Sequence, residues 1–240
     1  MSLERLDKII SNTNGFSRSQ LKKLAAQGRV MLNGEVIKDL SVKADGDADE
    51  IAVDGVKLNT QKFVYIMQNK PKGVVSASEG RGDTSVIDIL PPSLKRSGLF
   101  PAGRLDKDTT GFVLITDDGD FAHRILSPKN HIPKTYIVTV DTPVNDEAVN
   151  TLEKGIELHD GTSYKPSVIK PLDDSRTKLE VIIFEGKYHE IKRMFKAVGS
   201  TVTELQRIKM GALMLDSQLK EGQSRLITAD ELKLIENKPE

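Results

Sequence analysis

Residues 103–119 have the sequence Gly103-Arg104-Leu105-Asp106-Lys107-Asp108-Thr109-Thr110-Gly111-Phe112-Val113-Leu114-Ile115-Thr116-Asp117-Asp118-Gly119. A polar loop bounded by glycines therefore leads into a run of apolar and β-branched residues, and a second polar turn follows. This pattern predicts a strand that is buried on both faces, with Asp106 at the mouth of a sheet. A carboxylate beside a basic neighbour on a rigid element is a candidate nucleophile or base. The alternative is that Asp106 and Asp108 only cap turns, as many loop aspartates do.

The length and composition of the chain limit the possible classes of protein. Its 240 residues suggest one large domain or two unequal ones, and its 35 basic and 35 acidic residues give no overall charge that would favour a partner. The absence of cysteine excludes disulfides, thiolate catalysis and cysteine-ligated metals. No apolar run is long enough for a membrane span, and the N-terminus lacks the apolar stretch of a signal peptide. We therefore expect a cytoplasmic protein without a membrane partner.

The first part of the chain predicts two helices. Apolar residues at helical spacing indicate a first helix that ends at Gly15, and they are Leu3, Leu6, Ile9 and Ile10. Ser17, with Gln20 three positions later, has the capping-box pattern that begins a second helix. Gly28 suits the position after the last turn of that helix.

A hairpin is predicted next. Asn33-Gly34 separates the short apolar runs Val30-Met31-Leu32 and Glu35-Val36-Ile37, which is a strong hairpin signal. Two helices followed by a small twisted sheet would form a compact module that ends near Leu58.

Charge is separated within this module. Residues 17–29 carry basic residues and no acidic ones, namely Arg18, Lys22, Lys23 and Arg29. Residues 45–54 carry the acidic residues Asp45, Asp47, Asp49, Glu50 and Asp54. A helix face of one sign is the pattern expected for contacts with phosphates, although most charge runs are ordinary solvated faces.

These motifs resemble the S4 RNA-binding domain in their order and spacing. The matching segments are Arg5-Leu6-Asp7-Lys8-Ile9, Gly15-Phe16-Ser17-Arg18 and Gly28-Arg29-Val30-Met31-Leu32-Asn33-Gly34. The resemblance covers about a quarter of the chain, and residues 43–55 fit it less well, so we expect an irregular loop there. It implies that the second helix and the start of the hairpin dock on structured RNA.

A short polar connection at residues 60–62 separates this module, residues 1–59, from a larger body at residues 63–240. We expect strands and helices interspersed in that body, without strict alternation. The expected strands are 63–67, 134–140, 178–184 and 202–210, and the expected helices are 121–126 before Pro128, 145–154 before Gly155, 186–199, and one capped by Thr228 and Glu231. The fold class is therefore α+β, built on a mostly antiparallel or mixed sheet.

Several familiar kinds of site are not supported by the sequence. His189-Glu190 begins like a zinc-protease helix, but Arg193 stands where the second histidine ligand would be needed. The four histidines (His123, His131, His159 and His189) are not at ligand spacing, so no metal site is expected. The Gly-x-Ser-x-Gly elbow of serine hydrolases, the dinucleotide fingerprint and the phosphate-binding loop are also missing.

Three groups remain as candidates for chemistry. They are the loop at Asp106, the aromatic residue Tyr136 near the start of a strand, and the adjacent cations Lys192 and Arg193 at the start of a helix. Each alone could be structural, since Tyr136 could pack in a sheet and the cations could face solvent. Together they suggest a carboxylate kept ionised by a cation, next to a ring that stacks on a base removed from its helix.

The same segments resemble the pseudouridine synthases, and among them the RsuA-type enzymes of ribosomal RNA. They are residues 69–73, 103–119, 134–136 and 186–194, so that with the S4-like module the resemblance spans nearly the whole chain. It implies isomerisation of a uridine in RNA, in which the N-glycosidic bond breaks, the base rotates and a C–C bond forms. No redox change and no cofactor are implied. The partner would be ribosomal RNA, of the small (16S) or the large (23S) subunit, and we expect a monomer.

The resemblance also implies roles for individual residues. Asp106 would be the catalytic carboxylate, which attacks the sugar, attacks the base or removes a sugar proton. Tyr136 would stack on the uracil, and Lys192 would be the basic partner of Asp106, with Arg193 as a second candidate. Arg104 would enter the RNA stack at the place of the extruded uridine.

Two positions depart from the family pattern, and one rival function stays open. Glu190 stands where glutamine is more usual, which removes a donor and adds a negative charge, and Phe112 replaces a usual leucine. The rival is a catalytically silent RNA-binding or ribosome-assembly factor, although both Asp106 and Tyr136 are present.

Overall fold

The computed structural model describes residues 3–14, 16–46, 48–58, 60–127, 129–130 and 132–236. The chain divides into two compact units. The first contains the residues up to Val64 together with Lys95–Leu99, and the second contains Tyr65–Leu94 and the residues from Phe100 onward. Several residues on which sequence expectations rested lie outside the described ones, namely Gly15, Asp47, Asn59, Pro128 and His131.

The first unit contains two helices and short strands. In chain order the elements are β1 (Glu4–Arg5), α1 (Leu6–Asn14), α2 (Arg18–Ala26), β2 (Val30–Leu32), β3 (Glu35–Val36), β4 (Lys43–Ala44), β5 (Ile51–Val53) and β6 (Val56–Lys57). The strands form a sheet of order β3-β2-β5-β6 and a separate antiparallel pair, β1 with β4. The apolar faces of both helices pack against this sheet around Leu6, Ile10, Leu21 and Ile51, which are fully buried.

Local sequence signals fix the elements of the first unit. Ser17 accepts the backbone N–H of Gln20, whose side chain accepts the N–H of Ser17 in return, so the predicted capping box is confirmed. Asn33 and Gly34 both have positive φ, 51° and 84°, as a tight turn of this hairpin requires. The predicted hairpin is therefore confirmed, with β2 and β3 as its strands.

The second unit contains the larger sheet and the remaining helices. In chain order its elements are β7 (Tyr65–Lys70), a 3-10 turn (Pro92–Leu94), β8 (Phe100–Ala102), β9 (Thr110–Thr116), α3 (Gly119–Leu126), β10 (Lys134–Val140), α4 (Asp146–Lys154), β11 (Ile156–Glu157), β12 (Ser163–Tyr164), β13 (Val168–Pro171), β14 (Lys178–Ile183), α5 (Glu190–Ala197), β15 (Val202–Met210), β16 (Leu213–Met214), β17 (Ser224–Leu226) and α6 (Ala229–Glu236).

The main sheet has the order β13-β14-β10-β15-β9-β7-β17, with β16 beside β15 and β8 beside β9. β15 pairs with β9 in parallel, and the other pairings along this order are antiparallel. A mixed sheet with helices outside strict βαβ units confirms the α+β fold class. None of the helices in the described part of the chain combines the length and the apolar composition needed to cross a bilayer.

β9 is the central strand that the sequence predicted. Each of its residues is buried, so the expectation of a strand covered on both faces is confirmed. The caps of α4 by Asn145 and of α6 by Thr228 and Glu231 are confirmed as well. The strand expected at residues 63–67 begins later, at Tyr65, and continues to Lys70, so its predicted bounds were wrong.

The first compact unit also contains the segment Lys95–Leu99, which is distant in sequence from the rest of that unit. Arg96 donates to the backbone oxygens of Gln61 and Lys62, which join this distant segment to the end of the first unit. Such a contact has no local sequence signature. The division at residues 59–63 into sequence domains stays a prediction.

Candidate active site

The loop that carries Asp106 connects β8 to β9, and a buried lysine binds its backbone. Lys70, at the end of β7, donates to the backbone oxygens of Pro71, Lys107 and Thr109 at 3.1, 3.2 and 2.7 Å. Lys70 is fully buried, and this burial lowers its pKa to about 8. Three backbone oxygens around one amine hold the end of the Asp106 loop against the sheet.

The carboxylate of Asp106 meets a cation from α5. Lys192 Nζ lies 3.0 Å from Asp106 Oδ2 and 2.6 Å from Asp108 Oδ1. Burial alone would lower the pKa of Lys192, but hydrogen bonds to Asp108 and Asp106 outweigh it and raise that pKa. Lys192 is therefore a permanent cation between two loop carboxylates, and Asp108 does more than cap a turn.

Arg193, the second candidate partner, points elsewhere. Its guanidinium pairs with Asp160 and lies 3.5 Å from the hydroxyl of Thr162, in the turn between β11 and β12. The structure thus brings Lys192, and not Arg193, to Asp106. Neighbouring positions on a helix point about 100° apart, which is why only one of the two cations can reach the loop.

His189 also approaches Asp106. Its Nε2 lies 3.4 Å from Asp106 Oδ1, and its backbone has a positive φ of 50° at the position before α5. Its ring is stacked on that of Tyr188, with centroids 3.8 Å apart. Sequence reasoning considered His189 only as a metal ligand and missed this contact. The signal was its position three residues before Lys192 at the start of the same helix.

Tyr136 lines the same cleft as Asp106, His189 and Lys192. Its side chain is buried, and burial raises its pKa. Across the β10–β15 pairing the residue opposite Tyr136 is Arg207. The cleft also contains Arg104, which is exposed at its edge. The predicted residues Arg104, Asp106, Tyr136 and Lys192 therefore share one cleft in the second unit.

Arg207 is a buried cation behind this cleft, and sequence reasoning missed it. Its Nε donates to the backbone oxygen of Phe112 at 2.7 Å, while its Nη2 is buried without a hydrogen-bond partner among the described residues. Arg207 opposes Gly111 in the parallel β9–β15 pairing. A Cβ at position 111 would lie 2.2 Å from the backbone oxygen of Arg207, so this close approach requires glycine. Leu205 and Arg207 are two positions apart on β15 and therefore lie on the same face of the strand. This spacing from an apolar residue could have indicated that Arg207 points inward.

Glu190, the departure from the family pattern, is buried in the first turn of α5. Its carboxylate accepts the backbone N–H of Lys187 at 2.8 Å. Burial, with a contribution from the charge of Glu185, raises its pKa to about 7. The carboxyl is therefore partly protonated at neutral pH, and in that form it supplies a donor as glutamine would. The negative charge expected at this position is only partial.

Of the predicted RNA-binding residues of the first unit, two line a groove and two lie outside it. Arg18 and Lys22 line one groove together with Arg5 and Lys38, two cations that sequence reasoning did not select, and with the acidic residues Asp7 and Asp39. Arg29 is instead paired with Asp54. Lys23 is exposed on α2, outside the residues that line the groove. Among the residues that the structure describes, no cluster of three or more histidine or acidic side chains could hold a metal ion.

The fold and site agree with comparisons with known proteins. The family model for RNA pseudouridylate synthase matches residues 64–197, and that for the S4 domain matches residues 4–51. The chain belongs to the RNA pseudouridylate synthases. It is thus an isomerase that acts on uridine in RNA, and the resemblance seen in its motifs is confirmed.

Relatives of this synthase match it over nearly their whole length. The uncharacterized RNA pseudouridine synthase YtzG of Bacillus subtilis (strain 168) is 43% identical, over 98% of this chain and 99% of the relative. The ribosomal small subunit pseudouridine synthase A of Escherichia coli (strain K12) is 39% identical, over 95% of this chain and 98% of the relative. A crystal structure of a pseudouridylate synthase has a TM-score of 0.67 and 39% identity, over 96% and 99% of the two chains.

Proposed function

We propose that this synthase converts one uridine of 16S ribosomal RNA, in the small subunit, to pseudouridine. The observation that carries the chemistry is the ion pair of Asp106 with Lys192 beside the buried Tyr136 in one cleft. The choice of RNA is supported by the likeness to a synthase named for the small ribosomal subunit over nearly the full chain. The substrate would be met in the cytoplasm, where a bacterial ribosome is made, and the enzyme would act as a monomer.

Asp106 is proposed as the catalytic carboxylate. Lys192 keeps a positive charge 3.0 Å away, and this contact fixes the direction of the Asp106 carboxylate. A carboxylate held in this way can attack the sugar, attack the base or remove a sugar proton, and each of these roles leads to cleavage of the N-glycosidic bond. The base then rotates and forms a bond to the sugar through a ring carbon; that carbon loses its proton and the released ring nitrogen gains one, so there is no change in oxidation state.

Tyr136 is proposed to stack on the extruded uracil and to take part in the proton transfer that completes the product. Its burial raises its pKa, so it is a neutral hydroxyl at physiological pH and can donate a proton only when a base is adjacent. Arg104, exposed at the edge of the cleft, is suited to fill the gap left in the RNA stack. Extrusion of a base costs a few kcal/mol, which such a contact can offset in part.

The S4-like module, residues 1–59, is proposed to hold the RNA, with residues 60–62 as connection and 63–240 as the catalytic domain. Arg18 and Lys22 line a groove in which four cations outnumber two aspartates, and this excess of positive charge favours contact with phosphates. Lys23, Arg29 and Arg193 are kept as weaker candidates, because Arg29 and Arg193 are engaged by Asp54 and Asp160. An RNA-bound phosphate would have to compete with those carboxylates.

The experiment that tests this function compares pseudouridine maps of ribosomal RNA from cells with and without the gene. We expect a single lost position in 16S RNA, restored by the parent gene and not by Asp106→Asn. A position lost from 23S RNA would keep the chemistry and change the target. An unchanged map in the absence of the gene would favour the RNA-binding assembly factor.

The matched control is Asp108→Asn, two residues away in the same loop. Asp106→Asn should abolish product while RNA affinity stays nearly unchanged, because the substitution removes charge but preserves shape. Asp108→Asn should keep substantial activity, since Lys192 retains its contact with Asp106. Full activity of Asp106→Asn would refute the proposed role of this carboxylate.

A further inference from the structure

Tyr188 differs from the other tyrosines of the chain in its exposure. The chain has four tyrosines, of which Tyr136 and Tyr164 are buried and Tyr65 is partly buried. Tyr188 is 76% exposed, and its hydroxyl makes no hydrogen bond with any residue that the structure describes. Its own fold therefore gives this ring little stabilisation by burial.

The orientation of this exposed ring is nevertheless fixed from one side. The ring of His189 stacks on Tyr188 with centroids 3.8 Å apart and an angle of 17° between the planes. Since one face of Tyr188 is covered by His189, an exposure of 76% requires that its other face be open to solvent. The Tyr188–His189 stack thus presents one flat aromatic surface outward.

The Tyr188–His189 stack begins at the catalytic carboxylate. His189 lines the cleft of Asp106 and Tyr136, and its Nε2 lies 3.4 Å from Asp106 Oδ1. A ring laid on the open face of Tyr188 would therefore be the third layer of a stack that starts beside the reacting nucleoside. Tyr136, buried in the cleft, is a separate surface and cannot serve this layer.

Two cations lie at the same edge of the cleft. Arg104 is exposed there and forms no ion pair with another described residue, while Lys187, which directly precedes Tyr188, pairs with Glu185 at 3.3 Å. An aromatic surface next to cations is the combination with which proteins hold single-stranded nucleic acid, since the ring stacks on a base while the cations contact the backbone. An acidic partner would contact only the cations, and an apolar partner would contact only the aromatic ring.

We propose that the open face of Tyr188 binds the nucleobase of an RNA nucleotide adjacent to the extruded uridine. The proposal rests on the function proposed above, since it needs an RNA substrate with an unstacked neighbour. Stacking on one aromatic face selects for a base free of its helix and tolerates any of the four bases. Tyr188 is then a binding residue that holds the strand at the cleft, and it takes no part in bond breaking.

The test uses an RNA fragment that contains the uridine found by mapping, with 2-aminopurine placed at either neighbouring position. Binding of the parent enzyme should quench the fluorescence at one of these positions. Tyr188→Ala should lose that quenching and bind roughly 5- to 150-fold more weakly, whereas Tyr188→Phe, which keeps the ring, should behave as the parent does.

Several outcomes would overturn the proposal. They are parent-like affinity of Tyr188→Ala, quenching that survives in this variant, or an equal loss in Tyr188→Phe, which would make the hydroxyl the contact. A lowered salt slope would also contradict stacking, because the substitution removes no charge. Because Tyr188 is exposed, we expect Tyr188→Ala to fold as the parent does, so a loss of affinity would not result from misfolding. A thermal melt of Tyr188→Ala that equals the melt of the parent checks this. If the function proposed above is wrong, the pseudouridine map of ribosomal RNA shows it before this binding test is made.

Discussion

Lys192 Nζ bridges Asp106 and Asp108, at 3.0 Å from Oδ2 of the first and 2.6 Å from Oδ1 of the second. The loop places both carboxylates on the same side, so that one lysine from α5 serves both. The shorter contact is made by Asp108, whose side chain is mostly exposed, while Asp106 is more enclosed. Asp108 thereby holds the lysine in place without occupying the position nearest to the cleft.

The first prediction concerns the choice between the two adjacent cations. Lys192→Met should reduce the single-turnover rate by about 10²-fold, by analogy with the loss of one preorganised electrostatic contact at a reacting group. Arg193→Met, the matched control on the same helix, should retain most of the rate, because Arg193 faces Asp160. Rapid-quench measurement of product on saturating RNA gives both values. A strong loss in Arg193→Met with an active Lys192→Met would reverse the assignment.

The second prediction tests the pairing of Tyr136 with Arg207. The charge of Arg207, which lies opposite Tyr136 on β15, lowers the pKa of Tyr136 and so opposes the effect of burial. Tyr136→Phe and Arg207→Met should each reduce the rate by at least about tenfold, in the lower range for loss of a proton-transfer group. The double variant should be little slower than either single one, because both remove the same function.

The control for this cycle is Lys209→Met, on the same strand as Arg207 but opposite Thr135. It should keep the parent rate. Circular dichroism melts of each variant distinguish a loss of the fold from the loss of the Tyr136 hydroxyl or of the Arg207 charge. Additive losses in the double variant would show that Arg207 acts independently of Tyr136.

The third prediction follows from the pKa of Glu190, which burial raises from 4.5 to about 7. Between pH 4.5 and pH 7 the carboxyl of Glu190 is mostly ionised in the unfolded chain but still protonated in the native state. The free energy of unfolding therefore falls as the pH rises through this range. Glu190→Gln removes this penalty. The variant should therefore be more stable than the parent at pH 8, by on the order of 2 kcal/mol, and nearly equal to it at about pH 4.5.

Urea unfolding of parent and variant across this pH range measures the effect. Glu204→Gln, at an exposed position of β15, is the matched control and should show no such pH-dependent difference. A constant difference between Glu190→Gln and the parent at every pH would mean that packing, and not ionisation, decides the stability at this position.

The fourth prediction concerns the groove of the first unit. Lys22→Ala should weaken RNA binding and reduce the slope of log K against log salt by about 1, as expected for one lost phosphate contact. Lys23→Ala should lose less, because Lys23 lies outside the groove that Lys22 lines. Filter binding at several salt concentrations gives both slopes. Equal slopes for parent and Lys22→Ala would place the RNA elsewhere.

Local chemistry explains which parts of the fold could be predicted from the sequence. The capping box at Ser17, the turn at Asn33-Gly34 and the strand after the Asp106 loop depend on residues only a few positions apart, and all three were found. Each is specified by backbone hydrogen bonding or side-chain periodicity that acts within one element. The bounds of β7 were missed because apolar residues 63 and 64 continue its pattern outside the strand.

The candidate site was predictable in its parts and not in its arrangement. Motifs identified Asp106, Tyr136 and Lys192, but the sequence left Lys192 and Arg193 as alternatives until the direction of α5 was known. Arg207 could not be placed opposite Tyr136, because that requires the register of β10 on β15, which shifts by a bulge between Thr135 and Tyr136. Long-range register is a tertiary property.

Gly111 is a position of β9 at which the structure leaves no room for a side chain. Its missing side chain leaves room for the backbone of β15, and a methyl group there would overlap the carbonyl of Arg207. Any larger residue would push apart β9, which follows the Asp106 loop, and β15, which carries Arg207. The arrangement of the candidate site thus depends on the close approach of two backbones as much as on charged groups, and a library that randomises position 111 should yield glycine alone among active clones.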